Sequence, residues 1–267
     1  MEHLVRAFNT ATKSKNRMHD DEVARQFGFR GGLVPGVDVY AYLCHPPAET
    51  WGRAWLERGT VTARFVTPVY DGDEVRVTAE LDGDGLALVV TDPSGARCAT
   101  GRATLPAELP EPPPVAEWPT TDPPDAPPPV TAELLTTRPL GALAVTFHAE
   151  RAGEYLDDIR EQLPLFRDEG VAHPGWLLRY ANYVLTANVK LGPWIHVEST
   201  VQFHSPVVDG ETVETRALVT GEWERKGHRF VSLDVLQSVE DRPVTRTAHT
   251  AIYQPRRSQS TGVTAAG

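Results

Sequence analysis

Segments with strand-type periodicity and segments with helix-type periodicity follow one another along this chain, and the second half repeats the order of the first. Runs in which apolar and polar positions alternate predict β-strands, and apolar positions three or four apart predict helices. Trp176, Leu177, Tyr180, Val184 and Ala187 mark one apolar face of a central helix in the second half. Each half is predicted to contain one strand, a short polar helix, a buried helix and four further strands. The predicted strands cover 3–9, 61–67, 74–81, 86–91 and 97–105, then 143–148, 197–203, 212–222, 229–237 and 244–253. The predicted helices cover 20–26 and 37–44, then 154–162 and the central helix.

A sequence repeat supports this division. The stretch FVTPVYDGDEV at 65–75 recurs as FHSPVVDGETV at 203–213, an offset of 138 residues. Val34-Pro35-Gly36 corresponds to His173-Pro174-Gly175 at an offset of 139 residues. Repetition of this kind indicates two copies of one structural unit. We therefore expect an α+β double hotdog, in which each unit is a curved antiparallel sheet wrapped round a central helix and the two sheets pair edge to edge.

The unit boundaries follow from a proline-rich stretch. Proline lacks a backbone N–H, so the segment that ends at Val130 is expected to run as an extended connector outside the sheet. We expect an N-terminal unit at 1–107, a linker at 108–130, a C-terminal unit at 131–255 and a disordered tail at 256–267.

Composition narrows the class of protein. With 40% hydrophobic residues the chain can form a core, and a net charge of −10 argues against a nucleic-acid partner. The two cysteines, Cys44 and Cys98, argue against a disulfide framework. We expect no signal peptide in the first 15 residues, which have no long apolar core, and no window has the roughly 20 apolar residues of a membrane span. We expect a cytoplasmic protein without a membrane partner. Zinc-type clusters, phosphate-binding loops and dinucleotide fingerprints do not occur in the sequence, so neither a metal nor another cofactor is expected.

One segment of the first unit carries a family resemblance. SKNRMHDDEVA at 14–24, followed by GFRGGLVPGV at 28–37, resembles the MaoC-like (R)-enoyl-CoA hydratases and dehydratases. Their pattern is Asp, two residues, Asn, two residues and His, then a short helix and a Gly-containing turn into the central helix. The second unit matches in topology and at its Pro-Gly turn but not in the catalytic segment, so we interpret it as a degenerate partner.

The resemblance implies addition or removal of water at the α,β-bond of an acyl thioester, bound to CoA or to a carrier protein. It makes His19 the general acid/base, Asn16 a polar neighbour and the N–H of Gly36 the donor to the enolate oxygen. The family's catalytic Asp falls on Ser14, whose hydroxyl can hold water but is not a base at neutral pH. Asp20 and Asp21 follow His19 and could substitute, although they also suit the start of a helix. Further substrate contacts are expected from Gly31, Gly32, Val34, Asp38 and Tyr40.

Three alternatives stay open at the level of sequence. A hotdog thioesterase would use a carboxylate on the central helix, for which Asp38 is the candidate. A protein that lost its chemistry with the family's Asp would bind acyl thioesters without turning them over. An enzyme recruited to secondary metabolism would use the same groove for a different reaction. Whether two chains associate into a homodimer is also undecided.

Overall fold

The computed structural model describes residues 1–12 and 14–256. The strands of the first half are β1 (Glu2–Arg6), β2 (Thr60–Phe65), β3 (Glu74–Asp82), β4 (Gly85–Thr91) and β5 (Arg97–Thr104). The strands of the second half are β6 (Leu143–Thr146), β7 (Ile195–Phe203), β8 (Thr212–Arg225), β9 (His228–Val239) and β10 (Arg242–Gln254). The helices are α1 (Asp21–Gln26), α2 (Gly36–Trp51), α3 (Arg53–Arg58), α4 (Ala132–Thr137), α5 (Ala149–Asp158), α6 (Pro164–Arg167) and α7 (Pro174–Asn188).

Within the described residues the strands form one antiparallel sheet in the order β1-β3-β4-β5-β2-β7-β10-β9-β8-β6. The strands β6, β7, β8, β9 and β10 of the second half correspond to β1, β2, β3, β4 and β5 of the first. Counted inward from either edge of the sheet, corresponding strands therefore follow in the same order. The halves meet where β2 pairs with β7, with Thr60 opposite Gln202 and Arg64 opposite Glu198. This pairing covers an edge that each half would otherwise expose. The predicted α+β double hotdog, with its two sheets joined edge to edge, is confirmed; the exact unit boundaries stay a prediction.

The two central helices lie inside the curved sheet and pack against each other. Side chains of α2 such as Tyr40, Tyr42 and Leu43 are almost completely buried. An ion pair joins the helices, because Arg179 of α7 donates to Oδ1 of Asp38 on α2 over 2.8 Å. Thr10 donates to the other carboxylate oxygen of Asp38 over 2.6 Å. The carboxylate is therefore bound on both sides in the middle of the protein.

The end of α2 differs from the prediction. The helix predicted over 37–44 ends before Pro46, but in the structure α2 continues to Trp51 with Pro46 and Pro47 inside it. Their missing N–H groups leave two intrahelical bonds unmade, at Tyr42 and Leu43. Both rings are buried, and that burial offsets the lost bonds. Similarly, α5 begins at Ala149, five residues before the predicted helix start at Glu154.

The proline-rich connector runs along the outside of the sheet. It contains a short 3-10 turn at Val115–Glu117, and Trp118 beside it is 3% exposed. The indole N–H of Trp118 donates to the carbonyl oxygen of Asp234 on β9 over 3.2 Å, and Arg246 lies over the ring. The connector is thus extended, as expected, but is fastened to the second half. Nearly all of the predicted tail at 256–267 lies outside the described residues.

No helix in the described part of the chain is both long and apolar enough to cross a membrane.

Candidate active site

The catalytic segment of the resemblance folds as a 3-10 turn at Arg17–His19, with Asn16 as its N-cap. Oδ1 of Asn16 accepts from the backbone N–H of Met18 and from that of Trp194, each over 3.1 Å. Nδ2 of Asn16 donates to the carbonyl oxygen of Trp194 over 3.0 Å. Because Trp194 directly precedes β7, this one side chain attaches the first half's turn to the second half. Asn16 holds the two halves of the site together.

The hydrogen bonds of His19 determine its tautomer. Nδ1 lies 2.7 Å from the carbonyl oxygen of Leu33, which can only accept, so Nδ1 carries the proton. Nε2 lies 3.3 Å from Nδ2 of Asn16 and accepts from it. Burial lowers the pKa of His19 below its usual value of 6.5, an effect that outweighs the opposing hydrogen bond to Leu33. At neutral pH His19 is therefore uncharged, with its lone pair on Nε2.

The turn between α1 and α2 is held against the same segment. Oδ1 of Asp21 accepts from the N–H of Gly32 over 2.7 Å, and Nδ2 of Asn9 donates to the carbonyl oxygen of His19 over 3.0 Å. A Cβ atom on Gly32 would lie 2.1 Å from that carbonyl oxygen, so only glycine permits this approach. Asp20 accepts from the N–H of Val23 over 3.0 Å as the N-cap of α1. Both acids thus have structural partners and line none of the cavities described next.

Three adjoining cavities share Asn16 and Trp194 in their walls, and His19 lines two of them. The inner cavity, about 300 Å³, has a mostly apolar wall that includes Val39, Phe65 and Ile252. The outer cavity, about 530 Å³, includes Lys15 and Arg179 in its wall. A side cavity of about 440 Å³ lies between Lys15 and Lys190. The residues common to the walls of the inner and outer cavities form the neck between them: Asn16, His19, Pro35, Asn182 and Trp194.

The other predicted site residues fall into two groups. Val34 and Gly36 line the inner cavity, whereas Ser14 lies at the outer cavity, exposed, where its Oγ accepts from the N–H of Asn16 over 3.1 Å. The residues that line none of the three cavities are Gly31, Gly32, Asp38 and Tyr40. The structure therefore places His19, Asn16, Val34 and Gly36 together and leaves those four apart from them. The roles themselves stay predictions.

The start of α2 borders the inner cavity. Gly36 is its first residue, and Pro35 before it offers no side-chain cap. The N–H groups of a first helical turn have no partner within the helix, and the helix dipole makes this end positive. A Cβ on Gly36 would lie 3.0 Å from Nδ1 of His196. The ring of His196 therefore occupies the space beside Gly36 and favours glycine at this position.

His196 belongs to a buried polar chain that sequence reasoning missed. Its Nε2 lies 2.8 Å from Oγ of Ser199, which lies 2.9 Å from Nδ1 of His249. His196 and Ser199 are three residues apart, and on a regular strand such residues point to opposite faces. Here β7 has a bulge: Glu198 and His196 pair with the consecutive Thr250 and Ala251, so Val197 is an extra residue. This bulge turns His196 to the cavity side. No signal in the sequence pattern marks the bulge.

The start of α7 is the counterpart of this region in the second half. His173 caps the helix, its Nδ1 accepting from the N–H of Gly175 over 3.0 Å. A Cβ on Gly175 would lie 2.2 Å from Oη of Tyr155 and 2.7 Å from Cβ of Ala41. Side chains therefore fill the space that the inner cavity occupies at α2. This supports the interpretation of the second unit as degenerate.

Comparisons with known proteins complete this description. No family model matches the sequence, and no curated protein matches it either. Among solved structures the chain is similar to a MaoC-like dehydratase, with a TM-score of 0.57, 12% identity, and coverage of 95% of this chain and 97% of that one. It is also similar to a Mycobacterium tuberculosis protein described as a double hotdog, with a TM-score of 0.58, 14% identity, and coverage of 94% and 93%.

A putative thioesterase from Novosphingobium aromaticivorans matches with a TM-score of 0.53, 14% identity, and coverage of 84% of this chain and 88% of that one. At such low identity these likenesses establish the fold and not the reaction, since one fold carries different chemistries. The chain has the double-hotdog fold that MaoC-like dehydratases and thioesterases share.

Proposed function

We propose that this protein adds water to, or removes water from, the α,β-double bond of an acyl thioester. The observation that carries the proposal is His19, a neutral imidazole whose unprotonated Nε2 lies at the neck of an apolar cavity. A group of this kind can take a proton from water near pH 7. The first turn of α2 borders the same cavity and supplies backbone N–H groups for a developing negative charge.

The bond changes of the proposed hydration involve these two elements. Water gives a proton to Nε2 of His19 while its oxygen forms a bond to the β-carbon. The electron pair of the double bond moves toward the thioester carbonyl, and the resulting enolate oxygen is stabilised by the N–H of Gly36. The imidazolium then returns a proton to the α-carbon, which leaves His19 neutral again. Dehydration follows the same steps in reverse.

Asn16 contributes to this chemistry by orienting His19. Its bond to Nε2 is long, at 3.3 Å, and a water molecule in the neck can replace it. Its other three hydrogen bonds, to Met18 and to the backbone of Trp194, keep the amide in place meanwhile.

The cavities suggest the class of substrate. The inner cavity is small and apolar, which suits a short acyl chain. The charged residues that line the outer and side cavities are Lys15, Arg179 and Lys190, and no acidic residue of the described chain lines either one. Arg179 is paired with Asp38, but Lys15 and Lys190 suit the phosphate of CoA or of a carrier-protein arm, despite the chain's net charge of −10.

The thioesterase alternative has less support. It requires Asp38 as the active carboxylate, but Asp38 is fully buried, paired with Arg179 and Thr10, and absent from the walls of the three cavities. A carboxylate so bound has no approach to a thioester.

The test is hydration of crotonyl-CoA, followed by loss of the enoyl absorbance. We expect His19→Ala to lower kcat by about 100-fold or more, since general acid–base groups typically contribute that much. His148→Ala, a substitution at an exposed histidine, is the matched control and should leave the rate unchanged.

Other outcomes count against the proposal. Release of free thiol without loss of the enoyl group would indicate a thioesterase. Binding of crotonyl-CoA with no turnover would indicate a non-catalytic binding protein. Equal rates in the wild type and His19→Ala would remove His19 from the mechanism.

A further inference from the structure

The proposed reaction leaves one requirement of the water molecule unmet. A water that gives one proton to Nε2 of His19 has a second O–H, and its orientation depends on an acceptor for that group. The family pattern would supply an Asp at position 14, but Ser14 is exposed and its Oγ accepts from the N–H of Asn16.

The nearby polar groups of the first half are already committed. Oδ1 of Asn16 accepts two backbone hydrogen bonds. Asp20 caps α1, Asp21 accepts from Gly32, and Asp38 is paired with Arg179. None of these four side chains has its acceptor oxygen free of protein partners.

Asn182 on α7 meets the requirement. It lines both the inner and the outer cavity, as His19 does, so both side chains border the neck. Its Oδ1 is buried and accepts no hydrogen bond from any residue in the described part of the chain. A buried amide oxygen without a donor costs roughly 1–3 kcal/mol, a cost that a bound water or hydroxyl would remove.

The position of Asn182 follows from the helix. Arg179, Asn182, Tyr183 and Thr186 fall at positions i, i+3, i+4 and i+7 and line the outer cavity as one face of α7. Arg179 on that face is tied to Asp38, two residues into α2. The ion pair therefore holds this face of α7 beside the start of α2.

We propose that Asn182 completes the active site from the second half: its Oδ1 accepts a hydrogen bond from the water whose other proton goes to His19. This rests on the proposed function. An amide oxygen orients water but does not take its proton at neutral pH, so His19 remains the base. The site is then composite, with the base on one half and the water-orienting group on the other.

The proposal predicts a contrast between two substitutions to Asp. A carboxylate at position 182 would face His19 across the neck and raise the pKa of His19, because a nearby negative charge favours the imidazolium. A carboxylate at position 14 would lie in solvent and leave that pKa nearly unchanged. The measurement is an NMR titration of the imidazole of His19 in the wild type, Asn182→Asp and Ser14→Asp, with thermal unfolding to confirm that each protein is folded.

Kinetics provide the second readout. In the crotonyl-CoA assay Asn182→Ala should lower kcat about tenfold or more with little change in KM, because the lost contact is to water and not to the acyl chain. Its thermal stability should not fall, since Oδ1 has no protein partner to lose. His148→Ala, at an exposed position outside the walls of the three cavities, is the control and should keep the wild-type kcat.

A larger pKa change in Ser14→Asp than in Asn182→Asp would overturn the proposal, and so would an unchanged kcat in Asn182→Ala. The NMR titration does not require turnover. A wild type without hydratase activity would contradict the proposed function, whereas an unresponsive His19 in Asn182→Asp would contradict the composite site.

Discussion

The starts of α2 and α7 are the same backbone motif put to different uses. Each helix begins at a Pro-Gly pair and is the long central helix of its half of the chain. At α2 the first turn borders a cavity that also contains His19. At α7 the first turn is capped by His173 and covered by Tyr155, which comes from α5. The side chains around the first turn therefore decide whether it borders a cavity or is packed against other residues.

The covering elements explain the difference. In the first half α1 has six residues, and the 3-10 turn before it places His19 at the cavity. In the second half α5 has ten residues and buries Ala152, Tyr155 and Leu156. Behind it, Glu161 is buried and lies 3.0 Å from His45 and 3.6 Å from His173. The longer helix brings large side chains where the first half leaves space.

The largest effect is expected where the two regions are tied together. Arg179→Met would leave the carboxylate of Asp38 buried without its charged partner, which typically costs about 3–5 kcal/mol. Urea unfolding measures this loss. The double variant Asp38→Asn/Arg179→Met should regain much of it, because no uncompensated charge remains. A cost below about 1 kcal/mol for Arg179→Met would show that the ion pair does not hold the helices together.

A matched pair of glycine substitutions tests the comparison directly. Gly175→Ala should lower the free energy of unfolding by about 1–3 kcal/mol, since its Cβ would overlap Tyr155 and Ala41. Adding Tyr155→Phe removes the closest atom, the Oη that has no hydrogen-bond partner among the described residues, and should restore part of the stability. Gly36→Ala, whose Cβ meets His196 at 3.0 Å, should cost less stability but lower the hydration rate. Equal stability losses at both positions would mean that the two helix starts are packed alike.

The smallest effect concerns pH. A base acts only when unprotonated, and burial lowers the pKa of His19 below 6.5. We therefore expect kcat/KM for hydration to be level near pH 7 and to fall only at pH values below 6.5. His173 differs in this respect: replacing it should change stability and leave the pH profile of hydration unaltered. An acid limb centred above pH 7 would contradict the neutral state assigned to His19.

The sequence predicted the architecture well because it depends on repeated patterns. The strand and helix order and the pairing of the two halves followed from periodicity and from the sequence repeat. Pro46 and Pro47 misled the prediction, since tertiary burial outweighs the local cost of proline in α2.

The site was predictable only on the side that carries the motif. His196 faces the cavity because of a bulge at Val197, and Asn182 faces the neck because of how α7 packs on α2. Asp38 was a reasonable candidate by position, but its burial against Arg179 depends on a residue 141 positions away. Contacts between the halves are long-range, and no local pattern records them.

The pairing of β2 with β7 has a consequence for how such a site behaves in dilute solution. The site takes Asn16 and His19 from one half and Trp194 from the other, so it exists only while the halves are associated. The proline-rich connector makes that association intramolecular, and its effective concentration does not change when the protein is diluted. In a symmetric homodimer any substitution alters two sites at once, and dilution separates the two subunits. In this chain one helix start can be covered by side chains while the other borders a cavity. The concentration of the protein has no bearing on whether the proposed site is assembled.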